Sequence, residues 1–291
     1  MRPTGRALLA ALTLLLTVVG VAGLGTTAAA AAPPTKTDAC GQRIAKSTGG
    51  FWSCVLAEPF DGSSLNAKYW TALTQPGAVG GACNVDDPRT VRVAGGTLQL
   101  TVRPVGDGLV CPAHADGTRS SYASGSVSTY RRWSQQYGRF EARVKVHPTD
   151  QPGLQEAFWL WPDERYTSVA SYPASGEIDI VETYSQYPGL AIPFLHYGSA
   201  DNGGPMPGLN TAWDCATTRG EFHTYGLEWT ADRLEVFVDG RSCLVNTSGA
   251  SSFRKRFIVS FTQMLGTGAN AYTDAVPLPA TMEVDYLKVW R

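Results

Sequence analysis

The chain of 291 residues is poor in charge: Asp, Glu, Lys and Arg together make up 17% of it and sum to a net −1. So neutral a chain has no electrostatic footprint for nucleic acid or for an anionic membrane surface, and an uncharged polymer suits it better as a partner. It has no Gly-x-Ser-x-Gly motif and only four scattered histidines, which leaves neither the nucleophile elbow nor the triad of a serine hydrolase. It has no Cys-x-x-Cys pair, and zinc, whose ligands usually come in close pairs, is therefore not expected. After the N-terminal region no apolar run approaches the roughly 18 residues of a membrane-spanning helix. No window carries a long helical period either.

Arg2 and Arg6 precede an apolar run from Ala7 to Val21, and a run of alanines from Ala28 to Ala32 precedes Pro33. That order reads as a signal peptide over residues 1–32, which makes the mature protein exported and soluble. A flexible lead is expected over 33–39 and one folded domain over 40–291. All six cysteines fall in that domain, an even number in an oxidising compartment, so all are expected in disulfides. Six cysteines allow fifteen pairings. Sequence neighbours are favoured, Cys40 with Cys54, Cys83 with Cys111 and Cys215 with Cys243, and loops of these sizes contribute roughly 3 kcal/mol each.

Short alternating segments recur from Thr90 onward. Thr90 to Val93 and Thr97 to Arg103 flank Gly95-Gly96 as a hairpin, and further strands are expected over Ala123–Thr129, Tyr137–Val146, Glu156–Trp161, Gly176–Thr183, Pro193–Tyr197, His223–Thr230, Leu234–Val238, Phe257–Gln263 and Ala280–Trp290. Leu65 to Trp70 could form a helical turn. Gly, Pro, Asn and Asp punctuate the connections, and many short antiparallel strands of this kind predict an all-β sandwich or barrel.

The densest chemistry lies in Ser-Gly-Glu-Ile-Asp-Ile-Val-Glu-Thr-Tyr, residues 175–184. β-Branched Ile178, Ile180 and Val181 favour a strand, in which Glu177 and Asp179 share a face by the two-residue period. Glu182, five positions from Glu177, would then point into the core, where an unpaired carboxylate is costly. A β-bulge near Ile180 or Val181 would return it to the face of the other two. Carboxylates flanking a sugar ring are what glycoside hydrolysis needs, and a crowded trio must raise at least one pKa. A solvated acidic face or a cation site is the competing reading of the motif alone.

This segment resembles the signature of glycoside hydrolase family 16 in its bulged, laminarinase-type form. Tyr137-Gly-Arg-Phe-Glu-Ala-Arg-Val-Lys-Val, Ala157-Phe-Trp-Leu, His196-Tyr-Gly, the run from Phe222 to Gly240 and Val284-Asp-Tyr-Leu-Lys-Val-Trp extend the resemblance over about Glu58 to Arg291. It implies a β-jelly roll of two curved antiparallel sheets, concanavalin A-like, with substrate across the concave one. It assigns Glu177 as nucleophile, Asp179 as assisting residue and Glu182 as acid/base, with His196 nearby. It places Trp159 in the cleft against the apolar faces of sugars, and Asn84 on a loop over the non-reducing side. Trp229 and Trp290 are read as core.

Glu58-Pro-Phe, Gly95-Gly-Thr-Leu and Asp285 resemble the parts of a structural calcium site, with the carbonyls of Pro59 and Gly96 and the carboxylate of Asp285 as ligands and water completing the shell. The alternative is that Asp285 bonds backbone at a strand edge. No cofactor is needed for the chemistry itself. Two positions that face the sugar in the family, and are read here as substrate-binding, depart from its pattern: Gln155 stands where laminarinase-type members usually carry Trp and Tyr172 where they commonly do, and loss of a large aromatic platform weakens contact to the ring.

The leading expectation is a secreted, monomeric, retaining endo-β-glucanase acting on a polysaccharide, most directly a β-1,3-glucan. The alternatives are the same chemistry on a galactan or mixed-linkage glucan, by hydrolysis or transglycosylation, and a carbohydrate-binding protein without turnover.

Overall fold

A computed structural model describes residues 37–46, 49–78, 81–198 and 205–291. The expected signal peptide, residues 1–32, and the start of the lead lie outside the described residues. In chain order the strands are β1 (Thr37–Asp38), β2 (Gly41–Gln42), β3 (Cys54–Glu58), β4 (Thr71–Ala72), β5 (Cys83–Asn84) and β6 (Val91–Ala94). Then come β7 (Thr97–Pro104), β8 (Tyr122–Ser124), β9 (Ser126–Ser128), β10 (Gly138–Lys145), β11 (Leu154–Pro162) and β12 (Glu177–Tyr184). The last six are β13 (Ile192–His196), β14 (Phe222–Trp229), β15 (Leu234–Val238), β16 (Arg241–Asn246), β17 (Phe257–Leu265) and β18 (Ala280–Trp290).

Two sheets stack. One runs β16-β15-β14-β10-β18-β7-β8-β5, with β3 paired to β18 and β6 to β7; the other runs β13-β12-β11-β17-β9-β4. Nearly all pairs are antiparallel, as the alternating segments require, and the all-β sandwich expected from sequence is the fold observed. Strand β10 buries every second residue, and its Phe140, Ala142 and Val144 meet Leu227 and Trp229 of β14 within the core. The facing sheet contributes Phe158, Leu160, Ile178, Val181, Val259 and Phe261 to the same cluster. Phe158 and Phe261 stack with ring centroids 4.9 Å apart. Burying a side chain of this size contributes about 1.5–3 kcal/mol, so this interface is the main support of the sheet that carries β12. Trp229 and Trp290 are buried, as read from sequence.

The continuous strand expected over 123–129 is two strands in different sheets. β8 pairs with β7 and β9 with β17, and the chain changes sheet at Gly125, where a Cβ would lie 2.1 Å from the Thr90 carbonyl oxygen. Only glycine permits that approach. The turn at Leu65–Trp70 forms, with Tyr69 and Trp70 N–H donating to the Asn66 carbonyl.

All three disulfides join sequence neighbours as favoured: Cys40–Cys54, Cys83–Cys111 and Cys215–Cys243. The end of the lead, by contrast, is not loose. Thr37–Asp38 pairs with Gly41–Gln42, and the Asp38 carboxylate accepts from the Cys40 and Cys54 N–H groups beside the first disulfide.

Candidate active site

The site is built on β12, between edge strand β13 and β11. Glu177 lies opposite His196, Asp179 opposite Phe194 and Trp159, and Glu182 opposite Ile192 and Ala157. The register slips on both sides of β12: Phe158 pairs with Val181 and Trp159 with Asp179, so Ile180 has no partner on β11. This is the bulge expected near Ile180 or Val181. Ile178, Ile180 and Val181 remain in the core, while Glu182 turns back to the side of Glu177 and Asp179.

Donor atoms of Glu177, Asp179 and His196 lie within 4.8 Å of one another, and His196 Nε2 is 3.3 Å from Asp179 Oδ2. The His196 ring stacks on Phe194 at 4.3 Å, which fixes its plane. It thus touches Asp179 directly and sits across the strand pair from Glu177.

Burial first, and then the Asp179 charge, push the Glu177 carboxyl up to about 8, against the Tyr172 hydroxyl and His196, which favour its anion. Asp179 is raised well above the carboxylate range by burial and by the Glu182 charge. Glu182 is raised by burial, opposed by the Tyr184 hydroxyl, the Gln155 amide and His196. Three like charges cannot coexist here. The three carboxyls titrate as one coupled site, in which a proton on any one lessens the push on the others.

The other expected residues gather around this face. Trp159 donates Nε1–H to Thr262 Oγ1 at 2.9 Å and meets Trp161 edge-to-face, with centroids 6.0 Å apart. Tyr172 continues the wall, 5.6 Å from Trp161 and 5.8 Å from His196. Beside it lies a cavity of about 460 Å³ lined by Trp159, Trp161, Asn84, Ser126, Ser128 and Thr262 among others. Asn84 is in that wall, but from strand β5 and held by Ser124 Oγ rather than from a loop overhead. Gln155 reaches across the strand pair. Its Nε2 donates to Glu182 Oε1 at 2.7 Å and to the Tyr184 hydroxyl at 3.2 Å. Tyr184 was not singled out from sequence, although its two-residue offset from Glu182 places both on one face.

The calcium reading does not fit. Asp285 Oδ2 accepts from Arg143 Nη1 at 2.7 Å, so a guanidinium already neutralises the only acidic ligand of the expected shell with Pro59 and Gly96. Nor is it at a strand edge: Asp285 is the residue of β18 skipped where the register slips between Arg143 and Val144, and its carboxylate goes to the Arg143 side chain.

Among curated proteins the chain is similar to an endo-1,3-1,4-beta-glycanase of Rhizobium meliloti (strain 1021), 29% identical over 68% of this chain and 39% of that protein. It is also similar to glucan endo-1,3-beta-glucosidase A1 of Niallia circulans, 25% identical over 81% of this chain and 37% of that protein. The chain thus spans less than half the length of either relative. Among solved structures, the laminarinase from Rhodothermus marinus superimposes with a TM-score of 0.69 at 24% identity, over 82% of this chain and 97% of that one, which establishes the fold. The profile of glycosyl hydrolases family 16 matches residues 84–275, a span that holds all three carboxylates, Gln155, Trp159, Tyr172 and His196, and the chain belongs to that family.

Proposed function

We propose that this protein is an exported endo-acting β-glucanase that cleaves β-1,3 linkages with retention of configuration. The observation that carries the reading is the bulge at Ile180, which brings Glu182 round to the face of Glu177 and Asp179, beside a cavity walled by Trp159. Glu177, as the anion, attacks the anomeric carbon. The glycosidic C–O bond breaks as Glu182 gives its proton to the departing oxygen, and a glycosyl ester forms on Glu177. Water then attacks the same carbon, Glu182 takes the water's proton, and the Glu177 carboxylate leaves. A proton on Asp179 removes a neighbouring charge from both glutamates and hydrogen-bonds within the site. The names of the curated relatives support a β-glucan as substrate, and three disulfides support an oxidising compartment.

A second reading keeps this chemistry and changes the polymer, to a mixed-linkage glucan or a galactan. Tyr172 favours it, since it puts a hydroxyl beside Glu177 where an indole is common. The test is incubation with laminarin, curdlan, lichenan, xyloglucan and agarose, followed by reducing-end assay, product sizing and NMR of the first anomer formed. Early release of short oligosaccharides as β-anomers from laminarin or curdlan is expected. Cleavage of agarose alone would move the assignment to the second reading, and α-anomers would overturn double displacement.

A further inference from the structure

We propose that Gln155 is the positioning residue of the proton donor: with Tyr184 it forms a clamp that holds the Glu182 carboxyl in its working orientation. The proposal rests on the acid/base role of Glu182 given above.

The geometry begins with the strand register. Gln155 lies directly opposite Tyr184 and Ala157 opposite Glu182, so Glu182 is the diagonal neighbour of Gln155, within reach of a long side chain. One amide N–H goes to Glu182 Oε1 at 2.7 Å and the other to the Tyr184 hydroxyl at 3.2 Å. The hydroxyl in turn donates toward Glu182. Both amide protons are used within the site.

The register is pinned from behind. Glu156, next to Gln155, faces the core and accepts from Thr183 Oγ1 at 2.7 Å and from Arg219 at 2.8 and 3.1 Å. Thr183 is next to Glu182. The two residues adjoining the clamp are therefore locked to each other on the opposite face, which fixes the Gln155–Glu182 diagonal.

The consequence is electrostatic as well as geometric. Glu182 is faced by Glu177, Asp179 and Tyr184 of its own strand, by His196 of β13 and by Tyr172 from the preceding loop, whereas β11 presents only neutral Gln155, Ala157 and Trp159. A donor aimed at the carboxylate favours its charged form. Without it Glu182 would hold its proton too tightly to act as the base toward water in the second step.

Gln155→Met and Gln155→Leu both remove the donor and keep apolar bulk. For each, the alkaline limb of kcat/KM should move up by roughly one pH unit. kcat on polysaccharide should fall roughly 10- to 100-fold while KM changes little, and kcat/KM for an aryl glycoside with an acidic phenol, which reports only the first step and needs little acid help, should lose much less than its kcat, which waits on the base step. Infrared titration of the Glu182 carboxyl, its band assigned by difference against Glu182→Gln, should show the same upward move without any turnover. An unmoved titration midpoint in both variants, or equal losses on both substrates with a raised KM, would overturn the clamp. Failure of the wild type to cleave any polysaccharide would instead defeat the proposed function, and the titration would still judge the clamp.

Discussion

Glu182 shares a strand face with Glu177 although five positions separate them, an odd interval that a regular strand places on opposite faces. The unpaired Ile180 supplies the missing step. Deleting Ile180 should therefore leave Glu182 four positions from Glu177, an even interval that keeps both on one face of a now regular strand, so activity should persist while the lost buried side chain costs about 2–4 kcal/mol in urea unfolding. Ile180→Val, which keeps the register, should cost about 1 kcal/mol and stay active. An inactive deletion variant would mean that Ile180 is not the extra residue that aims Glu182.

The raised Glu177 carboxyl makes a statement about stability with a definite sign. Its folded value of about 8 exceeds the ordinary 4.5, so the folded state binds more protons between those limits. Its contribution is full below about pH 4.5 and is lost as pH rises through about 8. Glu177→Gln should accordingly melt at a higher temperature than wild type at pH 8, by an amount on the order of 2 kcal/mol, with the gap closing toward pH 4.5. Melting curves across that range check it. A variant less stable than wild type at pH 8 would contradict the crowded-charge picture.

Behind the site, Glu156 and Arg219 form a buried pair. Removing one partner leaves the other charged and dry, so Glu156→Leu or Arg219→Leu alone should each cost about 3–5 kcal/mol. The double replacement should recover most of that loss, as a double-mutant cycle would register. Additive losses would show that the two charges do not depend on each other.

How much of this was legible in the sequence follows from where each partner lies. The strands at Leu234–Val238 and Ala280–Trp290 match their alternating segments end to end, because alternation is a local property. Strand β16 was missed, since Arg241, Ser242 and Asn246 give it a loop-like composition. Within the site, the carboxylate trio and its bulge could be read from parity and the cost of a buried charge. The direction of the Gln155 amide could not, because it depends on a diagonal across a strand pair whose register the bulge itself sets. Glu156 shares the parity of Phe158 and Leu160, but the partner that lets it sit in the core, Arg219, lies 63 positions away. Asp285 fails as a cation ligand for the same reason, its partner Arg143 lying 142 positions away.

That last pairing has a testable side. With Arg143 on Asp285, chelator should leave the melting temperature within about 1 °C of its starting value, and Asp285→Asn should cost no more than the ~1 kcal/mol of a partly exposed ion pair. A chelator-induced drop of several degrees, abolished in Asp285→Asn, would restore the calcium shell and require Arg143 to move aside.

The two glutamates can be separated by what each can be replaced with. Glu177→Ala removes the atom that bonds to the anomeric carbon, so hydrolysis of every substrate should be lost, and no leaving group is good enough to compensate. Glu182→Ala removes only a proton donor and acceptor, worth roughly 10²–10⁴ in rate and most for a poor leaving group. Polysaccharide cleavage should collapse, yet an aryl glycoside with an acidic phenol should still load Glu177. Deglycosylation then stalls, because water is not deprotonated. Azide needs no base and should release the sugar as the β-glycosyl azide, having displaced Glu177 from the face the leaving group vacated. Azide added to Glu177→Ala should instead enter from the side of the missing carboxylate and give the α-azide. Product NMR distinguishes the two. Exchange of these products between the variants would assign Glu182 as nucleophile and Glu177 as acid/base, with the fold and the bulge unchanged.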